Sequence, residues 1–160
     1  MRKEIVHPKT GVAKAHEDAD WLDLEAIASV QLTSEDSGFP IDNALSANPE
    51  RNETGWRAAT PGPQTITLNF DHPQAIRRIY LFFVEHQLER SQEFVLLYSS
   101  PQQTDREILR QQWAFSPTGS SQEVEDYTVE LDSVTRLELM IDPDRGLGTA
   151  LASLNALRLA

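Results

Sequence analysis

Hydrophobic and polar residues alternate along much of the chain after residue 28. In the segment QTITLNF, residues Ile66, Leu68 and Phe70 occupy every second position, with polar residues between them. Because successive side chains of a strand point to opposite faces of a sheet, this pattern predicts a strand with one buried face. The segment AIRRIYLFFV begins mixed and ends apolar on both faces, which indicates a central strand. Similar patterns predict strands in the segments EFVLLYSS, REILRQQWAF, DYTVEL, RLELMI and LNALRLA.

The segment WLDLEAIASVQLT allows two interpretations. Asp20 can cap a short helix that carries Trp21 and Leu24 on one side. Every second residue from 22 to 32 is also apolar, which is typical of a strand. We predict a strand over residues 28–33 and leave the start of the segment open.

Turn-forming residues separate the predicted strands. Parallel strands would need crossover helices, and the connections here are too short for them. Seven or eight strands with little helix therefore predict an all-β fold, an antiparallel sandwich or jelly roll. Residues 1–20 are polar and aperiodic and predict an N-terminal arm before a domain at 21–160. The turn clusters are Asp71-His72-Pro73, Ser100-Pro101, Ser116-Pro117-Thr118-Gly119, Asp142-Pro143-Asp144 and residues 146–148.

The charge balance of the chain excludes some classes of partner. Lys and Arg number 14 against 25 Asp and Glu, which gives a formal net charge of −11 at pH 7. This charge repels phosphate backbones and anionic lipid surfaces, so we expect neither nucleic acid nor membrane partners. The chain has no cysteine, which excludes disulfides and cysteine-based zinc sites. The basic start has no apolar run after it, so we expect a cytoplasmic location.

Catalytic motifs are not evident in the sequence. The four histidines, His7, His16, His72 and His86, are scattered without a pair at metal-ligand spacing, so we predict no metal site built on them. A Gly-x-Ser-x-Gly nucleophile elbow is absent as well. We therefore predict that the protein is not an enzyme.

The segment EVEDY keeps one catalytic alternative open, because it supplies Glu123, Glu125 and Asp126. A pair of carboxylates can hydrolyse glycosidic bonds. Glu123 and Glu125, however, share one face of a predicted strand, and acidic residues on an edge strand commonly prevent unwanted sheet pairing. A small hydrolase is therefore only an alternative.

An ordered set of segments resembles the discoidin-like domains, that is, the coagulation-factor type C or galactose-binding-like jelly rolls. The set is DNALSANPERNETGWRA, QTITLNFDHPQAIRRIYLFF, FVLLYSS, VTRLELMI and SLNALRL, and it extends over residues 28–160. The resemblance implies an antiparallel jelly-roll β-sandwich that binds carbohydrate through loops at one end. It also implies that Trp56 packs into the sandwich instead of stacking on a ligand.

The same resemblance raises the question of calcium, which such domains often hold beneath this loop. Their usual ligands would correspond to acids at the positions of Ser46 and Asn155 and to Thr54. Two of these positions are uncharged here, and calcium prefers several oxygens that include carboxylates. Asp42 or Glu53 can substitute in part. We therefore expect no cofactor, or a weak calcium site.

The candidate ligand-binding residues come from the loops 34–56, 85–92 and 112–122. Arginine offers several donors in a planar fork, and the resemblance implies that His86 and Arg90 contact a sugar. Arg145 lies between turn residues and either reaches an end-loop site or stays solvated. The candidates are His86, Arg90, Phe39, Trp113 and Arg145.

Several of these residues also have a structural interpretation. Arg90 can pair with Glu93 or Glu89 on the surface, where such a pair contributes at most about 1 kcal/mol. Trp113 shares its strand face with other apolar residues, which favours core packing. Phe39 serves either as a platform for a ligand or as a plug at one end of the sandwich.

These observations favour a non-catalytic, soluble binding module for carbohydrate. A protein-interaction module or subunit is the main alternative, because an intracellular chain meets little free glycan. The sequence does not indicate an oligomeric state or the identity of the ligand.

Overall fold

The computed structural model describes residues 20–145 and 148–160. Residues 1–19 of the predicted N-terminal arm, with the histidines His7 and His16, therefore lie outside the described residues, as does part of the predicted turn at 146–148. The helices are α1 (Leu24–Ile27), α2 (Ile41–Leu45) and α3 (Pro49–Thr54). The strands are β1 (Ala28–Leu32), β2 (Trp56–Arg57), β3 (Gln64–Val84), β4 (Arg90–Ser99), β5 (Arg106–Phe115), β6 (Gln122–Asp142), β7 (Ser153–Leu154) and β8 (Ala156–Leu159).

Two long antiparallel strands, β3 and β6, form the centre of the fold, with 21 residues each. The prediction of a turn at Asp71-His72-Pro73 was wrong, because this segment continues β3 as an extended chain. The β3–β6 ladder is interrupted between Asn69 and Gln74 and shifts register twice more before Arg78. Proline has no N–H to donate to a ladder, and an interrupted stretch is where a strand tolerates it. Each long strand thus joins two segments that the alternation predicted separately.

The two halves of these strands belong to different layers of the sandwich. The main path runs in the order β1-β3-β6-β4-β5, and β8 pairs with β3. The first half of β3 pairs with β1, whereas its second half pairs with β8. Phe83 of β3 stacks on Phe94 of β4 at 5.4 Å between ring centroids, although these strands are not hydrogen-bonded neighbours. The layers therefore meet face to face, as predicted for an antiparallel sandwich.

The core consists of the alternating apolar residues. Ile66 and Leu68 of β3 are buried, as are Leu137, Leu139 and Ile141 of β6. Burying each such side chain stabilises the fold by roughly 1.5–3 kcal/mol before entropy costs are subtracted. The predicted central strand is confirmed, because the second half of β3 lies between β6 and β8.

The segment before β1 contains both of the predicted alternatives. Residues Leu24–Ile27 form the short helix α1, and the strand β1 follows directly at Ala28. Asp23, and not Asp20, precedes the helix, and its side chain makes no capping hydrogen bond. Trp21 instead packs near Tyr80, with 6.1 Å between ring centroids, and covers part of the outer face of β3.

Candidate functional site

A cleft of about 310 Å³ lies at the end of the sandwich where β3 finishes and β2 begins. Two loops form its walls. One includes residue 39 and leads through α2 and α3 to β2, and the other connects β3 to β4. The polar and aromatic residues that line the cleft include Phe39, Glu53, Arg57, His86 and Gln87, and the buried Trp56 and Asn155 contribute to the lining as well.

Phe39 and Arg57 form one wall of the cleft. The guanidinium of Arg57 lies 4.2 Å from the centre of the Phe39 ring, within the range of a cation–π contact. Backbone hydrogen bonds hold the two residues together, because Arg57 N donates to Phe39 O at 3.2 Å and Asp36 N donates to Arg57 O at 2.9 Å. Phe39 is half-buried in this wall, so its ring is not a fully buried plug.

The opposite wall is a turn that Glu85 organises. Glu85 Oε2 accepts hydrogen bonds from the backbone N–H groups of Gln87 at 3.1 Å and Leu88 at 3.3 Å. Glu85 Oε1 accepts a hydrogen bond from Arg90 Nε at 2.7 Å. Partial burial raises the pKa of Glu85, but the hydrogen bonds from Arg90 and the turn outweigh it and hold the pKa below its ordinary value. The carboxylate thus stays ionised and presents His86 and Gln87 to solvent.

Arg90 lies beneath this wall. Its side chain is only 1% exposed, and Nη1 donates to Gln92 Oε1 at 3.0 Å and to Pro143 O at 2.7 Å. The guanidinium also lies 4.7 Å from the centre of the Phe115 ring. The sequence suggested either a sugar contact or a surface pair with a neighbouring glutamate. The structure shows instead a buried pair with Glu85, which positions the turn that carries His86.

The remaining predicted residues lie outside the cleft lining. Trp113 is half-buried on β5, where it pairs in register with Gln92 and packs against the core. Arg145 is exposed, with its Nε 3.7 Å from Glu93 Oε2. Of the five candidates, the cleft therefore brings together Phe39 and His86 only.

Arg57 is the main cleft residue that the sequence reasoning missed. Trp56 is buried in the core, as predicted, and pairs in register with Leu154 of β7. Because side chains alternate along a strand, the residue after a buried tryptophan points outwards. Alternation was sufficient to predict that the side chain of Arg57 points away from the core. Its contact with Phe39 was not predictable in this way, because it depends on how the loop before α2 folds back onto β2.

The carboxylates of the alternative hydrolase do not form an accessible site. Glu123 is 0% exposed, and the adjacent Glu125 is also buried. Burial, followed by the hydrogen bond and charge of Glu125, raises the pKa of Glu123 to about 8. Tyr127 donates its hydroxyl to Glu125, and Gln92 Nε2 donates to Glu123 Oε1 at 3.2 Å. Asp126 lies on the other face, with its oxygens 2.9 and 2.7 Å from the guanidinium of Arg78.

In the described part of the chain, neither a cluster suited to a metal ion nor a membrane-spanning helix is present. There, no group of three or more His, Asp or Glu side chains is arranged to hold a metal ion. Among the helices at 20–145 and 148–160, none has the length and apolar character needed to cross a membrane.

Known structures match the fold closely enough to identify it. No protein-family model matches the sequence, and no curated protein matches it significantly. The chain is similar to the family 32 carbohydrate-binding module of NanJ from C. perfringens, solved in complex with galactose. The TM-score is 0.61 at 16% identity, over 87% of this chain and 96% of that chain.

Two more carbohydrate-binding modules show the same likeness. CBM32-3 from a family 31 glycoside hydrolase of Clostridium perfringens has a TM-score of 0.62 at 15% identity, over 87% of this chain and 93% of that one. The CBM32 of AlyQ, in complex with 4,5-unsaturated mannuronic acid, has a TM-score of 0.53 at 16% identity, over 84% and 95%. These matches confirm the predicted fold, an antiparallel jelly-roll β-sandwich.

Proposed function

We propose that this protein is a non-catalytic carbohydrate-binding module whose ligand binds in the cleft between Phe39 and His86. The observation that carries the proposal is the composition of that cleft. An aromatic ring, a guanidinium and two exposed polar side chains from separate loops line one concave space. Structural neighbours with bound sugars support the same class of ligand.

The chemistry of the cleft suits a sugar. The C–H face of a pyranose packs against an aromatic ring, and its hydroxyls need directional donors and acceptors. Phe39 supplies the ring, while Arg57 and Gln87 supply donors. Within the described residues Arg57 has no ion-pair partner, so its fork is available to a ligand hydroxyl or carboxylate. Glu53 and His86 add acceptors on the same space.

The proposal of a non-catalytic role rests on the placement of the acids. Glu123 and Glu125 face the interior of the sandwich, opposite Phe83 and Leu81 in register. A glycosidase needs both carboxyl groups to reach the scissile bond. Two glutamates line the cleft, and they differ in their contacts. Glu53 is exposed, whereas Glu85 is bound by Arg90, so a substrate in the cleft would meet the carboxylate of Glu53 without a second accessible acid from Glu85.

The alternative of a protein-interaction module stays a prediction, as does the cytoplasmic location. The exposed large apolar side chains of the described residues are Leu88, Val124 and Met140, which lie on a loop and on the two halves of β6. The mixed polar and aromatic lining of the cleft favours a sugar over an apolar protein surface.

Calorimetric titration with a panel of neutral and acidic monosaccharides tests the proposal. We expect saturable heat with at least one sugar, and loss of that heat in Phe39→Ala. A folded sample that gives no heat with any sugar of the panel, galactose and uronic acids included, would contradict it.

A further inference from the structure

The loop that contains α3 is where the discoidin-like resemblance places a calcium ion. The residues present do not fit that ion. Ser46 and Asn155, at the positions expected for acids, are both buried and uncharged. The nearby acids point elsewhere, because Glu53 lines the cleft and Asp42 lines a groove beside Arg51.

Asn52 lies in this loop, and its side chain binds two backbone carbonyl groups of the segment. The residue is 3% exposed. Its Nδ2 donates to Asn43 O at 2.8 Å and to Ser46 O at 3.2 Å. Backbone carbonyl oxygens are common calcium ligands. Here two of them already accept hydrogen bonds from a side-chain amide.

Asn155 binds the other end of the same loop. Its Nδ2 donates to Asn52 O at 2.9 Å and to Glu53 O at 3.3 Å, while its Oδ1 accepts from Val84 N at 3.1 Å. One side chain therefore connects the loop to the end of β3. The backbone at Gly55 also lies close, since a Cβ there would be 2.7 Å from Leu154 O.

Arg158 brings a positive charge to this position. It is 3% exposed, and its Nη2 donates to Asn52 Oδ1. Burial lowers the pKa of Arg158, but an arginine side chain remains protonated in proteins. Among residues 20–145 and 148–160 no carboxylate forms an ion pair with Arg158, and a guanidinium that is not neutralised in this way repels a divalent cation.

We propose that Asn52, Asn155 and Arg158 replace the calcium ion of similar domains, so that the loop beside the cleft assembles without metal. Two amide groups satisfy the loop carbonyls, and the guanidinium provides the charge that a bound cation would provide. The inference concerns the assembly of the loop and is independent of which ligand the cleft binds.

Thermal unfolding of the unmodified chain tests the proposal directly. We expect the same Tm, within about 1 °C, in EDTA and in millimolar CaCl2, and no saturable heat on titration with CaCl2. Because the net charge is −11, any divalent cation can act on the surface, so MgCl2 at equal ionic strength is the control. A shift common to both salts agrees with the proposal. A shift of several degrees in CaCl2 alone, or stoichiometric calcium binding, would overturn it.

A pair of matched variants tests the arginine. We expect Arg158→Met to lower the Tm by about 5 °C or more, without recovery in CaCl2. Arg77→Met, which removes an exposed guanidinium paired with Asp132, should change the Tm little. An unchanged Tm in Arg158→Met, or recovery in CaCl2, would contradict the inference. If Arg158→Met does not fold, the calcium titration of the unmodified chain decides alone.

Discussion

Two buried polar clusters of this protein handle charge in opposite ways. In the loop cluster, Arg158 is the charged group, and it donates to the side-chain oxygen of the neutral Asn52. In the interlayer cluster, Glu123 and Glu125 lie side by side with Gln92, and the pKa of Glu123 rises to about 8. The buried cation is stabilised by a neutral acceptor, whereas burial beside a second acid makes Glu123 hold its proton above the ordinary range of its pKa. The stability that the loop cluster provides should therefore not change with pH between about 5 and 9, whereas the stability that depends on the interlayer cluster should change in that range.

The largest effect should come from disrupting the loop cluster. Asn52→Ala leaves two loop carbonyls and the buried guanidinium without their partner, so we expect a loss of about 3 kcal/mol or more in the free energy of unfolding. Chemical denaturation measures it. Asn69→Ala is the matched control, because the side chain of Asn69 donates an exposed hydrogen bond to Gln31 Oε1 at 3.3 Å. Equal losses in the two variants would show that the cluster does not stabilise the loop.

The interlayer cluster should make stability depend on pH. Below about pH 4.5, Glu123 is protonated in both the folded and the unfolded states. Between pH 4.5 and about 8 the unfolded chain releases this proton while the folded chain keeps it, so stability falls as pH rises. Glu123→Gln keeps a donor towards Glu125 and removes the titration.

We therefore expect Glu123→Gln to match the unmodified chain near pH 4.5 and to exceed its free energy of unfolding by about 1–3 kcal/mol at pH 8. Denaturant titrations across this range measure the difference. Glu130→Gln, an exposed change on the same strand, serves as the control. The interpretation fails if the two variants have parallel pH profiles.

A smaller effect, on binding and not on stability, should follow from Arg57→Gln. This change keeps the backbone contacts of Phe39 and removes the guanidinium from the cleft wall. We expect about tenfold weaker sugar binding, equivalent to about 1.4 kcal/mol, with an unchanged Tm. Calorimetry with the sugar found for the unmodified chain measures it. Unaltered affinity would place the ligand elsewhere, and Arg77→Gln controls for loss of a surface charge.

The smallest effect belongs to the exposed pair of Arg77 and Asp132, whose atoms are 2.6 Å apart. Solvent and salt screen such pairs, so Arg77→Met should cost less than about 1 kcal/mol in the free energy of unfolding. A larger loss of unfolding free energy would show that a well-oriented ion pair on the surface stabilises this protein as much as a buried polar contact does. The buried clusters would then have no special weight in its stability.

Local patterns predicted the strands because alternation has a period of two residues and needs no distant partner. The predicted strand REILRQQWAF coincides with β5, and residues 28–32 form β1 within the predicted 28–33. The buried position of Trp56 was also predictable. The same reasoning failed at Asp71-His72-Pro73, because a bulged strand and a turn use similar residues.

The candidate site was less predictable, since each of its residues is defined by contacts between distant segments. Phe39 and His86 were predicted as ligand-binding residues from the chemistry of their side chains. That both line one cleft depends on how two loops pack against each other. Arg90 was read as a loop residue from its neighbours, but the ring of Phe115 and the carbonyl of Pro143 enclose it.

By itself, the amino-acid sequence determined most of the residues that form the long strands, which faces of those strands are buried, and that the fold is an antiparallel sandwich. Only the tertiary structure decided which polar residues are buried and which face the cleft. The physical reason is the distance along the chain over which each effect acts. Side-chain alternation acts between neighbouring residues, whereas the contact of Arg158 with Asn52 joins positions 106 residues apart and exists only after the layers have packed.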